Sequence, residues 1–98
     1  MPDVLLIVTD DQRSRTIDWM DAVGRRIIER GTRYPNGMIP TSVCCPSRAS
    51  LLTGLFAHST GVWSNGRSDD IPHTGGWSVF HEAGLEDRTL AVWLQQVG

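Results

Sequence analysis

The sequence predicts an α/β fold in the form of an incomplete, mostly parallel sheet flanked by helices. Three observations predict it. Val4-Leu5-Leu6-Ile7-Val8 is a continuous apolar run of β-forming residues, the pattern of a strand covered on both faces. Two other stretches, residues 17–30 and 89–97, carry apolar side chains at helical spacing. Two strands with two or three helices leave a sheet edge unpaired and apolar faces uncovered, so the architecture is expected to be part of a larger one.

Ninety-eight residues allow one small domain at most. The chain is 40% hydrophobic and 20% charged, with a net charge of −2, so no basic surface for nucleic acid is expected. All nine basic residues counted as Lys or Arg are arginine. The Val4–Val8 run is too short to cross a membrane, and no signal-peptide pattern precedes it. The expected location is therefore the cytoplasm, or outside it after removal of a signal. Cys44 and Cys45 are adjacent and cannot staple distant loops, which argues against a disulfide scaffold.

In chain order, the first strand ends in Thr9-Asp10-Asp11-Gln12. Two carboxylates at the carboxyl end of a buried parallel strand stand where open α/β sheets place ligands. Their mutual repulsion is relieved by a divalent cation with oxygen ligands, Ca²⁺ or Mg²⁺. Taken alone, the commoner reading of such a pair is a solvated turn.

Residues 17–30 are predicted to be a helix, with Met20, Val23, Ile27 and Ile28 on one face and Gly31 as its stop. A short second strand is expected near residues 32–38, at an edge because of Pro35 and Gly37.

Ser42 to Gly54 is the chemically richest stretch. Pro46 suits the first turn of a helix and Gly54 its end, which predicts a helix over 46–53 with Cys44 and Cys45 on the chain entering it. Free N–H groups at such a start favour an anion. Arg48 lies in the first turn, and its planar fork suits a tetrahedral oxyanion such as phosphate or sulfate.

Residues 55–87 show no sustained period and are expected to form a long loop region. It holds His58, His73 and His81 without zinc-like spacing, of which His58 is nearest to Gly54. Trp63 and Trp77 are expected to pack the loop onto the sheet, with the floor of a sugar-binding cleft as the alternative. Residues 89–97 then form a second amphipathic helix through Leu90, Trp93, Leu94 and Val97.

Cys44-Cys45-Pro46-Ser47-Arg48, followed by Leu51-Leu52-Thr53-Gly54, resembles the C-x-P-S-R…L-T-G signature of the cysteine-type sulfatases. The strand ending in Asp10-Asp11 is similar to that family's first strand. The resemblance implies an alkaline phosphatase-like fold, of which residues 1–98 would be an N-terminal fragment. It implies that Cys44 is oxidised by a formylglycine-generating enzyme to Cα-formylglycine, the nucleophile, while Cys45 occupies the variable position. It also implies that Asp10, Asp11 and residue 44 ligate Ca²⁺, that Arg48 binds at the catalytic centre, and that the substrate is a sulfate ester of a sugar, glycan or aryl alcohol. No nucleic acid or membrane partner is implied.

The family's other metal ligands and its sulfate-binding lysines have no counterpart in the sequence, so the fragment by itself is expected to be inactive. Three rival readings stand beside this one. The first is a phosphonate or phosphate monoester hydrolase of the same superfamily, and the second a non-catalytic pseudo-sulfatase fragment. The third, a redox or metal-thiolate pair at Cys44-Cys45, leaves Pro46-Ser47-Arg48 unexplained.

Overall fold

The computed structural model describes residues 3–66 and 75–98. His73 and the other residues between 67 and 74 lie outside the described residues. The chain divides into two units, Met1–Met38 and Ile39–Gly98.

In the first unit the predicted strand does not form. Residues 3–9 carry no regular structure, and Leu5 and Ile7 are 85% and 67% exposed. No β-strand occurs among the described residues, only an isolated parallel bridge between Ser64 and Gly75. A strand has no internal hydrogen bonds, so an apolar run becomes one only beside a partner that takes up its N–H and C=O groups. The parallel sheet predicted from the sequence is therefore not shown here.

The predicted helix over 17–30 is broken into three pieces: a 3₁₀ turn at Ser14–Trp19, α1 at Asp21–Arg26, and a second 3₁₀ turn at Ile28–Arg30. The chain leaves helical geometry at Met20, where ψ is 79°. The expected face is only half covered: Val23 and Ile28 are partly buried, whereas Met20 and Ile27 are exposed. Short helices draw their stability from packing, and among the described residues of this unit none is buried.

The chain does turn at Gly31, but with extended backbone instead of the left-handed stop. Arg33 pairs with Asp18 at 2.8 Å, both side chains about half exposed, a contact worth at most about 1 kcal/mol. The expected strand near 32–38 is a loop with a turn at Pro35-Asn36.

The second unit holds the core. Ala49, Val62, Val79, Phe80 and Leu85 are buried together, with Cys45 and Leu55 packed against them. The unit's elements are α2 (Cys44–Thr53), α3 (Ala57–Thr60), α4 (Gly76–Glu82), a 3₁₀ turn (Leu85–Arg88) and α5 (Leu90–Gln96); α2, α4 and the 3₁₀ turn supply the core, with Val62 from the segment after α3. The described part of residues 55–87 is thus not the long loop region that the sequence predicts. Each helix there is too short to show a period, which needs about ten residues to be legible.

Two of the stops share one device. Thr53 and Thr60, both buried, donate their hydroxyls back to Ala49 O and Ala57 O. The same hydroxyls accept from the backbone N–H groups of Leu55 and Val62, two residues on. The residue between is glycine at φ +71° and +72°, the left-handed conformation that glycine adopts without strain.

Trp63 and Trp77 do not pack onto a sheet. They are 57% and 67% exposed, and Trp77 stacks on Phe80 and His81 along its own helix. His81 Nδ1 also bonds Glu86, and that hydrogen bond is the main cause holding the Glu86 carboxyl below its ordinary range.

α5 begins where the sequence places it. Thr89 is its N-cap, and its hydroxyl accepts from Val92 N–H at 3.4 Å. The predicted packing face of Leu90, Trp93, Leu94 and Val97 is nevertheless between 38% and 63% exposed. With so little packing, α5 depends on its cap. Thr89→Ala is expected to cost about 1 kcal/mol, measurable as a lower denaturation midpoint with an unchanged slope.

Candidate active site

α2 starts two residues earlier than predicted. Val43 is extended, at φ −87° and ψ 138°, and its carbonyl accepts the first helical bond from Ser47 N–H at 2.9 Å. Cys44, Cys45 and Pro46 therefore form the first turn. Pro46 is tolerated there because its missing N–H is one that no helix could satisfy internally. Both thiols, expected on the chain entering the helix, lie inside its first turn. They are free and half buried.

Arg48 follows Cys44 by four residues, a spacing that brings side chains to one face of a helix, and is also half buried. A helix start with a guanidinium one turn on is an arrangement for an oxyanion.

The two cysteines differ in surroundings. Cys45 lines an apolar cavity of about 200 Å³ together with Arg48, Leu52, Val62, Trp77 and Phe80, whereas Cys44 is not among its lining residues. Cys45 also packs against the core. It is therefore the packing cysteine of the pair.

Sequence reasoning missed one residue of this site. Val43 has no side-chain oxygen to cap α2, and Asn65 supplies it instead: Cys45 N–H donates to Asn65 Oδ1 at 2.8 Å. The Cys45 thiol donates in turn to the Asn65 backbone carbonyl at 3.7 Å. Twenty residues separate the partners, and no local pattern around Asn65 marks the pairing.

Asp10 and Asp11 belong to the first unit. Both are exposed, and the chain turns sharply at the pair because Asp11 adopts φ +48°. Aspartate is one of the few residues besides glycine that enters this conformation readily. Of the described histidines, His58 is exposed on α3 and stacks on Phe56 at 5.7 Å, and His81 bonds Glu86, so neither is placed with a ligand set. No helix among the described residues is long and apolar enough to cross a membrane.

The sulfatase family model matches residues 2–98. The chain is 36% identical over 99 residues to a Sulf-1 homolog of Caenorhabditis elegans, covering 98% of this chain and 13% of that protein. It is 33% identical over 101 residues to an arylsulfatase of Chlamydomonas reinhardtii, covering 99% of this chain and 15% of that protein. The N-acetylglucosamine-6-sulfatase of Homo sapiens is 37% identical over 67 residues, 65% of this chain and 12% of that protein. No solved structure matches the chain.

The chain belongs to the sulfatase family. That family has an alkaline phosphatase-like α/β fold, and its members generally use Ca²⁺ and formylglycine and act on sulfate esters. The chain spans between 8% and 15% of the length of the first curated relatives it matches.

Proposed function

We propose that residues 1–98 are the nucleophile-bearing segment of a sulfatase catalytic domain, one that hydrolyses sulfate esters of sugars, glycans or aryl alcohols. The observation that carries this reading is the first turn of α2. It has Cys44 at the helix start, Arg48 one turn on and Cys45 against the core, which supports Cys44 as the reactive cysteine of the pair. The residue types agree with the family's signature, in which the first cysteine is the one converted to formylglycine by its generating enzyme. The parallel sheet belongs to this reading as well: Val4–Val8 is the strand that it would complete.

Asp10 and Asp11 fit a hard divalent cation. They are exposed oxygen donors on adjacent residues at a turn, and they supply charge but only part of the six to eight oxygens that Ca²⁺ takes. In the reading proposed here they hold Ca²⁺ together with residue 44; Mg²⁺ would use the same donors. When bound, the metal acts as a Lewis acid toward the ester oxygens. Arg48 offsets the anion's charge and orients it, and the positive end of the α2 dipole favours negative charge beside residue 44.

The test is substrate preference. A full-length sulfatase containing this segment and co-expressed with a formylglycine-generating enzyme is expected to hydrolyse an aryl sulfate faster than the matching aryl phosphonate. The reverse ratio would transfer the chain to the phosphonate hydrolases. The 98-residue chain alone is expected to turn over neither, since it has no lysine for the sulfate group and too few metal ligands.

A further inference from the structure

Asn65 closes the start of α2 from outside the helix. Pro46 has no N–H, and Ser47 N–H is taken by Val43 O, so the donors of the first turn reduce to Cys44 and Cys45. Asn65 Oδ1 takes the second of these at 2.8 Å, the bond that a capping Ser or Asp at position 43 would otherwise supply.

Asn65 is itself held on two sides. Its backbone carbonyl accepts from the Cys45 thiol, and its neighbour Ser64 accepts from Gly76 N–H at 2.9 Å and bridges Gly75. The approach of these segments requires glycine. A Cβ on Gly75 would clash with Ser64 O, and one on Gly76, at φ +71°, would meet Asn65 O at 2.9 Å. The glycine pair thus seats Asn65, and Asn65 fixes the turn that carries residue 44.

We infer that Asn65 is a positioning residue for the nucleophile at position 44, acting through the Cys45 amide. Its relevance to catalysis rests on the sulfatase reading; its structural action does not. A valine N-cap leaves the first turn free to fray, and fraying rotates residue 44 away from the direction that Arg48 shares. The side-chain amide from the following segment prevents this without placing a charge beside the reacting anion. An aspartate at position 65 would cap equally well but would repel a sulfate ester, which gives the neutral asparagine a chemical reason.

The experiment is amide hydrogen exchange by NMR on the 98-residue chain, with Asn65→Ala, Asn65→Asp and Asn65→Gln. Asn65→Ala is expected to speed exchange at Cys45 by about fivefold, with Ala49 to Thr53 unchanged, and to shift the Cys44 Cβ resonance as its side-chain rotamers average. Asn65→Asp restores both signals. Should Asn65→Ala fail to fold, Asn65→Gln, whose amide is one methylene too long, is expected to show the same loss confined to the first turn. Unchanged exchange at Cys45, or equal acceleration along all of α2 that aspartate does not rescue, would overturn the inference. No sulfate ester or modified residue enters these readouts, so they stand or fall separately from the proposed activity.

Discussion

Cys44→Ala is expected to abolish sulfate-ester turnover in a full-length protein, with a loss on the order of a million-fold in kcat, as for removal of other enzymatic nucleophiles. Cys45→Ser is expected to leave turnover within about tenfold and to act on stability instead, by about 1 kcal/mol. The asymmetry follows from the first turn of α2. Cys45 packs on Ala49, Val62 and the rest of the core, and its contribution to the site is its backbone N–H, which serine retains. Cys44 has no place in that cavity lining. Steady-state kinetics of the two variants, prepared with the formylglycine-generating enzyme, decide the matter. Equal losses would mean that both thiols serve packing, or that the nucleophile has been assigned to the wrong residue.

The second large effect concerns the acidic pair. Asp10→Asn removes one charge and keeps the side chain's shape, so in a full-length protein it is expected to weaken Ca²⁺ binding by at least about tenfold, because affinity at such sites follows ligand charge, and to nearly abolish turnover. Asp11→Asn is expected to do the same, since asparagine also tolerates the left-handed backbone seen at φ +48° and the fold at the turn is preserved. The 98-residue chain should bind the ion only weakly. Titration calorimetry on parent and variants is the check. If both variants bind Ca²⁺ as tightly as the parent, the pair is a solvated turn.

What could be read from the sequence divides by range. The stop at Gly54 and the start of α5 at Thr89 depend on one residue and its near neighbours, and both are legible. The Thr-Gly stops at 53–54 and 60–61 were equally local; the second escaped because α3 is too short to announce a helix. The strand at Val4–Val8 is a different case. Its apolar pattern states what the run needs, not what it has, and a strand cannot satisfy that need alone. The helix over 17–30 fails for a related reason, since the face built by Met20 and Ile27 finds no cover.

At the site, Cys44 and Arg48 could be singled out because Pro46 marks a helix start between them and the C-x-P-S-R pattern is contained in five consecutive residues. Asn65 could not, because its partner lies twenty residues away and the glycines that admit it give no hint of what they approach.

In the function proposed here Cys44 is the residue made into the nucleophile. Co-expression with a formylglycine-generating enzyme, followed by peptide mass spectrometry across residues 34–48, tests it without any assay of turnover. The expected result is loss of sulfur and two hydrogens with gain of one oxygen at Cys44, with trapping of the aldehyde by a hydrazine and an intact thiol at Cys45. An aldehyde at Cys45, or two unmodified thiols in the presence of an active generating enzyme, would contradict it.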